Sequence, residues 1–354
     1  MWPPMSKLKL HPAVKEFEKS IKSRGLRAVY EAVERLERCY MLYREERYKR
    51  IFRIQATALN AAREYLNSKG FIEVLPPVIG SLPSPGLSED KQITVDFYGK
   101  KFRVIGNTIL YKQMMADILG KIYFISPNVR LERPEAALSG RHLAEFYKID
   151  VEIRGATYHD AMNLAEGLLD YVLRRVCEEC WRDLEALGRV LEIRRPPYPR
   201  LTYEEALQVL SEVGFKAEHS PEVPWEHEVL LSAAFTSPFF VMNYPRRPEA
   251  FYEREDPRRP GMLRNFKMLY PEGFGEALSG AEREYEYGKV IRRIAESGGD
   301  PAEYGWYLEM LKEGASPSAG FGIGVERLTR YLCGLSSVWE ARPYPKIPGI
   351  TSTP

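Results

Sequence analysis

Two stretches of this chain gather side chains whose types and spacing could do chemistry. The first is Ser318-Ala-Gly-Phe-Gly-Ile-Gly-Val-Glu-Arg-Leu-Thr-Arg330. Gly320, Gly322 and Gly324 alternate with Phe321, Ile323 and Val325, a period of two that predicts a strand. From Val325 the pattern turns helical and runs to Cys333 and Gly334, a helix stop. Glycines on one face of a strand let a flat ligand lie against the backbone. Arg327 would stand at the edge of that surface, and its fixed fork of donors suits phosphate. A bent edge strand with a surface arginine would show the same pattern. The second stretch, Arg130 to Glu152, packs Arg133, Glu135, Arg141, His142, Glu145, Asp150 and Glu152 around a small-residue loop. An antiparallel strand pair could aim Arg133 and Arg141 at one polyanion, with Phe146 as a stacking plate. A solvated hairpin would carry the same charges with no ligand.

The elements that must position these residues are legible in outline. Residues from about His11 to Tyr48 are helical in pattern, with Val29, Val33, Leu36 and Tyr40 on one face. A second amphipathic helix, Ile51 to Leu66, stops at Asn67-Ser-Lys-Gly70 and leads into a strand, Phe71 to Ile79, that carries two prolines. Proline cannot donate to a ladder, so Pro77 marks an edge or an interface. Ser81 to Lys91 has the composition of a mobile loop. Ile93 to Val104 reads as a hairpin around Tyr98-Gly99, a helix containing Lys112 starts at Asn107 or Thr108, and Lys121 to Ser126 is a strand. Ala156 to Leu187 reads as one long helix, and Thr202-Tyr-Glu-Glu205 as a capping box.

Composition sets bounds on this. The 354 residues are 44% hydrophobic and 28% charged, enough for an ample core. The formal charge of +2 imposes no basic field that demands nucleic acid. No apolar run approaches the ~20 residues that span a bilayer, and Met-Trp-Pro-Pro-Met-Ser lacks a signal-peptide pattern, so a cytoplasmic location is expected. Cys177 and Cys180 form a lone C-x-x-C with no second pair and no nearby His, and read as ordinary thiols.

Taken in order, a helix and strand ending in Pro77, Arg133-x-Glu135, and the glycine strand with Glu326-Arg327 resemble the three motifs of class II aminoacyl-tRNA synthetases. Arg141-His-Leu-Ala-Glu-Phe146, Gly275-Glu-Ala-Leu-Ser-Gly-Ala-Glu-Arg283 and Trp339-Glu-Ala-Arg-Pro-Tyr-Pro345 resemble the aspartyl/asparaginyl branch. The resemblance implies an α+β fold, an antiparallel sheet flanked by helices. It places a helical arm at residues 1–45 and a catalytic domain at 46–354, and implies a homodimer through the Pro77 region and use of ATP and Mg²⁺. Arg133 and Arg327 would be catalytic. Arg133, Glu135, Arg141, His142, Phe146, Glu276, Gly324 and Arg327 would hold ATP, and Glu276 and Ser279 the metal. Lys112, Asp150, Ser279 and Arg283 would hold the amino acid, which reads as aspartate because two cations favour a second carboxylate.

Other features depart from that branch. Ile109 and Lys267 stand where the branch has a glutamine and an aspartate, the loop Ala136 to Gly140 is small and neutral, and only the arm precedes the first motif. These departures resemble the archaeal asparagine synthetases. The expectation is therefore an AMP-forming ligase that activates aspartate as β-aspartyl-adenylate and amidates it with ammonia, with no tRNA partner. Two alternatives remain: a truncated aspartyl/asparaginyl-tRNA synthetase paralogue that charges tRNA or another acceptor, and a non-catalytic regulatory module that binds aspartate and ATP.

Overall fold

A computed structural model describes residues 8–34, 38–214 and 223–350. The chain folds around one large sheet. In sequence, β1 is Ile72–Glu73, β2 Ile79–Gly80, β3 Thr94–Phe97, β4 Lys100–Val104, β5 Lys121–Val129 and β6 Glu145–Arg154. Then follow β7 Arg200–Thr202, β8 Phe239–Met242, β9 Asn265–Tyr270, β10 Gly275–Glu282 and β11 Ser318–Gly324. The eight-stranded sheet runs β1-β5-β6-β11-β10-β9-β8-β7, and β2-β4-β3 form a small second sheet. The large sheet is antiparallel except at its two ends, where β1 pairs with β5 and β7 with β8 in parallel. The expected antiparallel α+β fold stands, with parallel edges added.

The helices in chain order are α1 Pro12–Arg24, α2 Leu26–Glu34, α3 Cys39–Leu42, α4 Glu46–Ser68, α5 Ile109–Leu119, α6 Tyr158–Glu179 and α7 Trp181–Ala186. They continue with α8 Tyr203–Glu212, α9 Trp225–Ala233, α10 Tyr287–Glu296, α11 Gly305–Gly314 and α12 Val325–Cys333. One face of the sheet is sealed by α4 and α6. The apolar stripe Ile51, Ile54, Ala58, Ala61, Ala62 and Leu66 of α4 meets Ala161, Ala165, Leu168, Leu169 and Val172 of α6, all buried. Each fully buried Ile or Leu adds about 1.5–3 kcal/mol. The stretch read as one helix from Ala156 to Leu187 breaks at Cys180, which caps α6 and starts α7.

The two prolines shorten the expected strand from Phe71 to Ile79 to the short β1 and β2, since neither can supply a ladder donor. Leu75 and Val78 remain exposed, at 89% and 61%, at the sheet edge where a second copy was expected. The hairpin turn at Tyr98 and Gly99 is as read, with φ of 52° and 79°. The loop read as mobile is anchored. Ser84 Oγ accepts from Gly106 N at 2.9 Å, Pro85 O from Asn107 Nδ2 at 2.7 Å, and the Gln92 side chain from Ser84 N at 2.8 Å.

The N-terminal helices pack on the rest of the chain. Val29 and Val33 share a buried cluster with Ala137, Leu143, Val338 and Trp339, while Tyr40 faces solvent and Leu36 lies outside the described residues. Among the described residues, no helix is long and apolar enough to cross a membrane.

The glycines of β11 serve the fold before any ligand. A Cβ on Gly320 would lie 2.1 Å from both the Val151 carbonyl oxygen and Glu152 Oε2, and one on Gly322 would lie 2.5 Å from Asp150 Oδ1. At Gly324 the nearest atoms are Arg327 side-chain carbons at 3.7 Å. Gly320 therefore makes room for a neighbouring strand and its carboxylate, not for a flat ligand. The substitution Gly320→Ala should lower unfolding free energy by about 1–3 kcal/mol or more through overpacking, read as a drop in urea midpoint. An unchanged midpoint would show that the strands are not this close.

Candidate active site

The open face of the sheet carries a cavity lined by β6, β9, β10 and β11, by the start of α12 and by the anchored loop. Seven of the residues expected to bind ATP or substrate line it together: Arg141, His142, Phe146, Glu276, Ser279, Gly324 and Arg327. Register explains the convergence. Ser279 of β10 lies opposite Gly322 of β11 on one side and Lys267 of β9 on the other, and Gly324 lies opposite Lys148 of β6.

Arg133 and Glu135 are not part of this cavity. The sequence contains two consecutive Arg-x-Glu triplets, Arg130-Leu-Glu132 and Arg133-Pro-Glu135. Strand β5 continues to Val129, three residues past its expected end, so Arg130 is the first residue beyond it. Pro134 then opens a 3₁₀ helix, Pro134–Ser139, with Arg133 at its N-cap. That turn swings Arg133 and Glu135 into solvent, while Arg130 and Glu132 line the cavity. The Arg130 guanidinium sits 5.2 Å from the Phe146 ring centroid, and its Nε donates to Gly106 O at 2.9 Å. The adjacent triplet was the signal for this pair. Lys148, Arg247 and Tyr252 also line the cavity without having been anticipated.

Across the cavity floor runs a chain of alternating charge. Arg141 Nη2 is 2.9 Å from Glu228 Oε2, and Glu228 Oε1 is 3.0 Å from Lys267 Nζ. Lys267 Nζ is in turn 3.4 Å from Glu276 Oε2, and Glu276 Oε1 is 3.2 Å from Arg327 Nη1. Glu228 comes from α9, a helix with no recognisable site signature. Burial alone would raise the Glu276 carboxyl, but Lys267, Arg327 and Arg141 outweigh it and hold it well below the usual range. His142 is pushed down to about 3 by burial and by Arg327 and Arg141, so it is neutral at pH 7. Its Nδ1 lies 2.6 Å from Ser139 Oγ. Lys148 is pushed down to about 7 by burial and by Arg130.

The donor set around Glu276 does not suit the magnesium ion that the resemblance implies. Ser279 adds one hydroxyl, and the place of a second carboxylate is taken by Lys267. An ammonium and Mg²⁺ sharing one carboxylate oxygen would stand about 4.5 Å apart and repel by roughly 7 kcal/mol at an effective dielectric of about 20. Among the described residues, no group of three or more His, Cys, Asp or Glu could hold a metal.

Lys112, Asp150 and Arg283, expected to touch the amino acid, do not line the cavity. They form a buried network with Glu152. Arg283 grips Glu152 with Nε and Nη2, each at 3.0 Å. Lys112 Nζ lies 3.3 Å from Asp150 Oδ1 and 3.6 Å from Glu152 Oε2. Ser126 and Thr108 hydroxyls donate to Asp150 Oδ2 at 2.7 and 3.0 Å, and Ser318 Oγ donates to Glu152 at 2.9 Å. Both cations are thus matched by carboxylates. The argument that they demand a second carboxylate on the substrate falls with that pairing. The thiols behave as read: Cys180 is buried, Cys177 half-buried, and both are free.

Residues 31–348 match the family described as tRNA synthetases class II (D, K and N). The chain is 33% identical over 347 residues to an asparagine–tRNA ligase of Pyrococcus abyssi, covering 97% of this chain and 78% of that one. An asparagine–tRNA ligase of Thermus thermophilus is 33% identical over 318 residues, covering 87% and 72%. The asparaginyl-tRNA synthetase of Pyrococcus horikoshii, solved with asparaginyl-adenylate, shares the fold with a TM-score of 0.83 at 31% identity, over 89% of this chain and 72% of that one. These likenesses overturn the ammonia-dependent asparagine synthetase reading and the expectation of no tRNA partner, because the relatives that share nearly this whole chain are tRNA ligases. The neutral loop that suggested otherwise has a packing reason: Ala137 and Ser139 are buried, and a Cβ on Gly140 would lie 2.8 Å from Phe17 of α1. Its composition reflects the helices packed on it and carries no information about RNA. The chain belongs to the class II tRNA synthetases of the D, K and N group.

Proposed function

We propose that this protein condenses asparagine with ATP to asparaginyl-adenylate and passes the aminoacyl group to tRNA. The observation that carries the choice of amino acid is the charge balance of the Lys112–Asp150–Glu152–Arg283 network. Because both of its cations are already matched by carboxylates, the network has no spare positive charge to offer a substrate carboxylate, and a neutral amide asks for none. Aspartate is the second reading, favoured by Asp150, which is one methylene shorter than the glutamate that asparagine-binding members tend to have.

In the first step a carboxylate oxygen of the amino acid attacks the α-phosphorus, and the bond to the bridging oxygen of pyrophosphate breaks. In the second, a ribose hydroxyl at the tRNA end attacks the acyl carbon and AMP leaves. Both steps need positioning and charge stabilisation more than covalent help. Arg130 takes the α-phosphate and Glu132 the adenine amino group, the roles first read for Arg133 and Glu135. Phe146 stacks on the adenine. Arg141 and Arg327 meet the β- and γ-phosphates, exchanging Glu228 and Glu276 for phosphate oxygens. Neutral His142 accepts or donates a single hydrogen bond. Gly322 and Gly324 let the ligand approach the backbone, and Ser279 faces the amino acid.

Three measurements test this. Pyrophosphate exchange into ATP should depend on added asparagine, and labelled asparagine should appear on tRNA. Exchange driven by aspartate alone would select the second reading, and exchange with neither amino acid would end the proposal. Arg130→Ala should slow adenylate formation by about 10²–10³-fold, while Arg133→Ala stays near the parent rate. The reverse ranking would return the role to Arg133. Phosphate placed beside Lys148 must raise its pKa from about 7. The complex then holds more protons than the free protein just above pH 7, so ATP affinity falls as pH rises from 7 towards 9. Calorimetry in buffers of different ionisation enthalpy should show proton uptake, lost in Lys148→Met. Uptake that persists in that variant would exclude Lys148 as its source.

A further inference from the structure

Lys267 is the residue whose place in the cavity the activity does not explain. It lies on β9 directly across from Ser279, and its Nζ stands between Glu228 Oε1 at 3.0 Å and Glu276 Oε2 at 3.4 Å. It is the middle member of the five-residue charge chain, with an arginine at each end. The carboxylate that would receive a divalent ion therefore already has a fixed monovalent cation on one oxygen and Arg327 on the other.

We propose that Lys267 replaces a protein-bound metal here: its ammonium supplies positive charge to the nucleotide phosphates, and Glu276 acts as its holder rather than as a metal ligand. This rests on the nucleotide reading of the cavity given above and adds which cation serves it. When triphosphate binds, Lys267 and Arg327 turn from the Glu276 carboxylate towards phosphate oxygens, so Glu276 competes with the ligand. Any divalent ion in the complex is then carried by the phosphates alone.

The two roles of Glu276 predict opposite results. In the full-length protein, binding of α,β-methylene-ATP is measured by calorimetry, and bound Mn²⁺ in the complex is counted by electron paramagnetic resonance. If Lys267 serves, Glu276→Gln removes a competitor: the analogue binds several-fold tighter and the Mn²⁺ count does not change. Lys267→Asp restores a two-carboxylate donor set and gains one Mn²⁺ per chain, which a further Glu276→Gln change removes. Loss of an ion and weaker analogue binding in the single Glu276→Gln variant would overturn the inference. So would a folded Lys267→Asp protein that binds the analogue without gaining an ion. If Lys267→Asp does not fold, the single Glu276→Gln variant decides the question. Failure of the parent protein to bind the analogue at all would instead count against the nucleotide reading.

Discussion

The site depends on the buried pairing of Arg283 with Glu152 and of Lys112 with Asp150. Arg283 directly follows β10, Asp150 and Glu152 come from β6 and Lys112 from α5, and they meet on the open face beside β11, where Gly320 and Gly322 leave the space a Cβ would fill. Taking four charges out of water is costly unless each finds a partner and its remaining hydrogen-bonding atoms are satisfied. Ser126, Thr108 and Ser318 complete the Asp150 and Glu152 carboxylates, and Lys112 also donates to the Phe321 carbonyl at 3.1 Å. The network fixes the spacing of three adjacent strands and one helix at the sheet centre. Removing any one member would strand its partner without water.

The cavity floor beside this network, on the same face of the sheet, uses the same chemistry loosely. Arg141, Lys267 and Arg327 are held by Glu228 and Glu276 over distances of 2.9–3.4 Å, at the boundary with the open cavity. Three cations against two carboxylates leave an excess positive charge that a polyanion can claim. The carboxylates keep the arginines extended and aimed before a ligand arrives, which lowers the ordering cost of binding. They also tax binding, because each must be displaced. The balanced network gives shape and the cation row gives exchangeable charge.

How much of this could be read from the residues alone follows from how local each signal is. The glycine alternation, the helix from Val325 to Cys333 and the capping box at Thr202 depend on neighbours within a few positions, and they appear where expected. Arg141, His142, Phe146, Glu276 and Arg327 were legible because they stand in dense, ordered motifs. Arg133 misled because its triplet directly follows that of Arg130, and only the true length of β5 and the turn at Pro134 tell them apart. Glu228 was invisible, since nothing on α9 announces that its carboxylate will meet Arg141, a residue 87 positions away. The argument that two cations require a second substrate carboxylate failed for a related reason: Lys112 and Arg283 are visible cations in the sequence, but their partners are visible only in the packed sheet.

On the function proposed above, the two groups of charges also divide the recognition problem. The balanced network beside the cavity offers no spare charge, so an amino-acid side chain would be selected by shape and hydrogen bonding rather than by net charge. A nucleotide would meet a row of cations already set at fixed intervals by carboxylates, and would be selected by charge and length. In-line attack at phosphorus requires the two ligands to be brought together with little freedom, and one sheet can do this by carrying both groups of charges on adjacent strands. Ser279 of β10 is where they meet: it faces Gly322, next to the balanced network, on one side and Lys267, in the cation row, on the other. On the proposed reading the reacting carboxylate and the α-phosphate belong at Ser279, between the balanced network and the cation row.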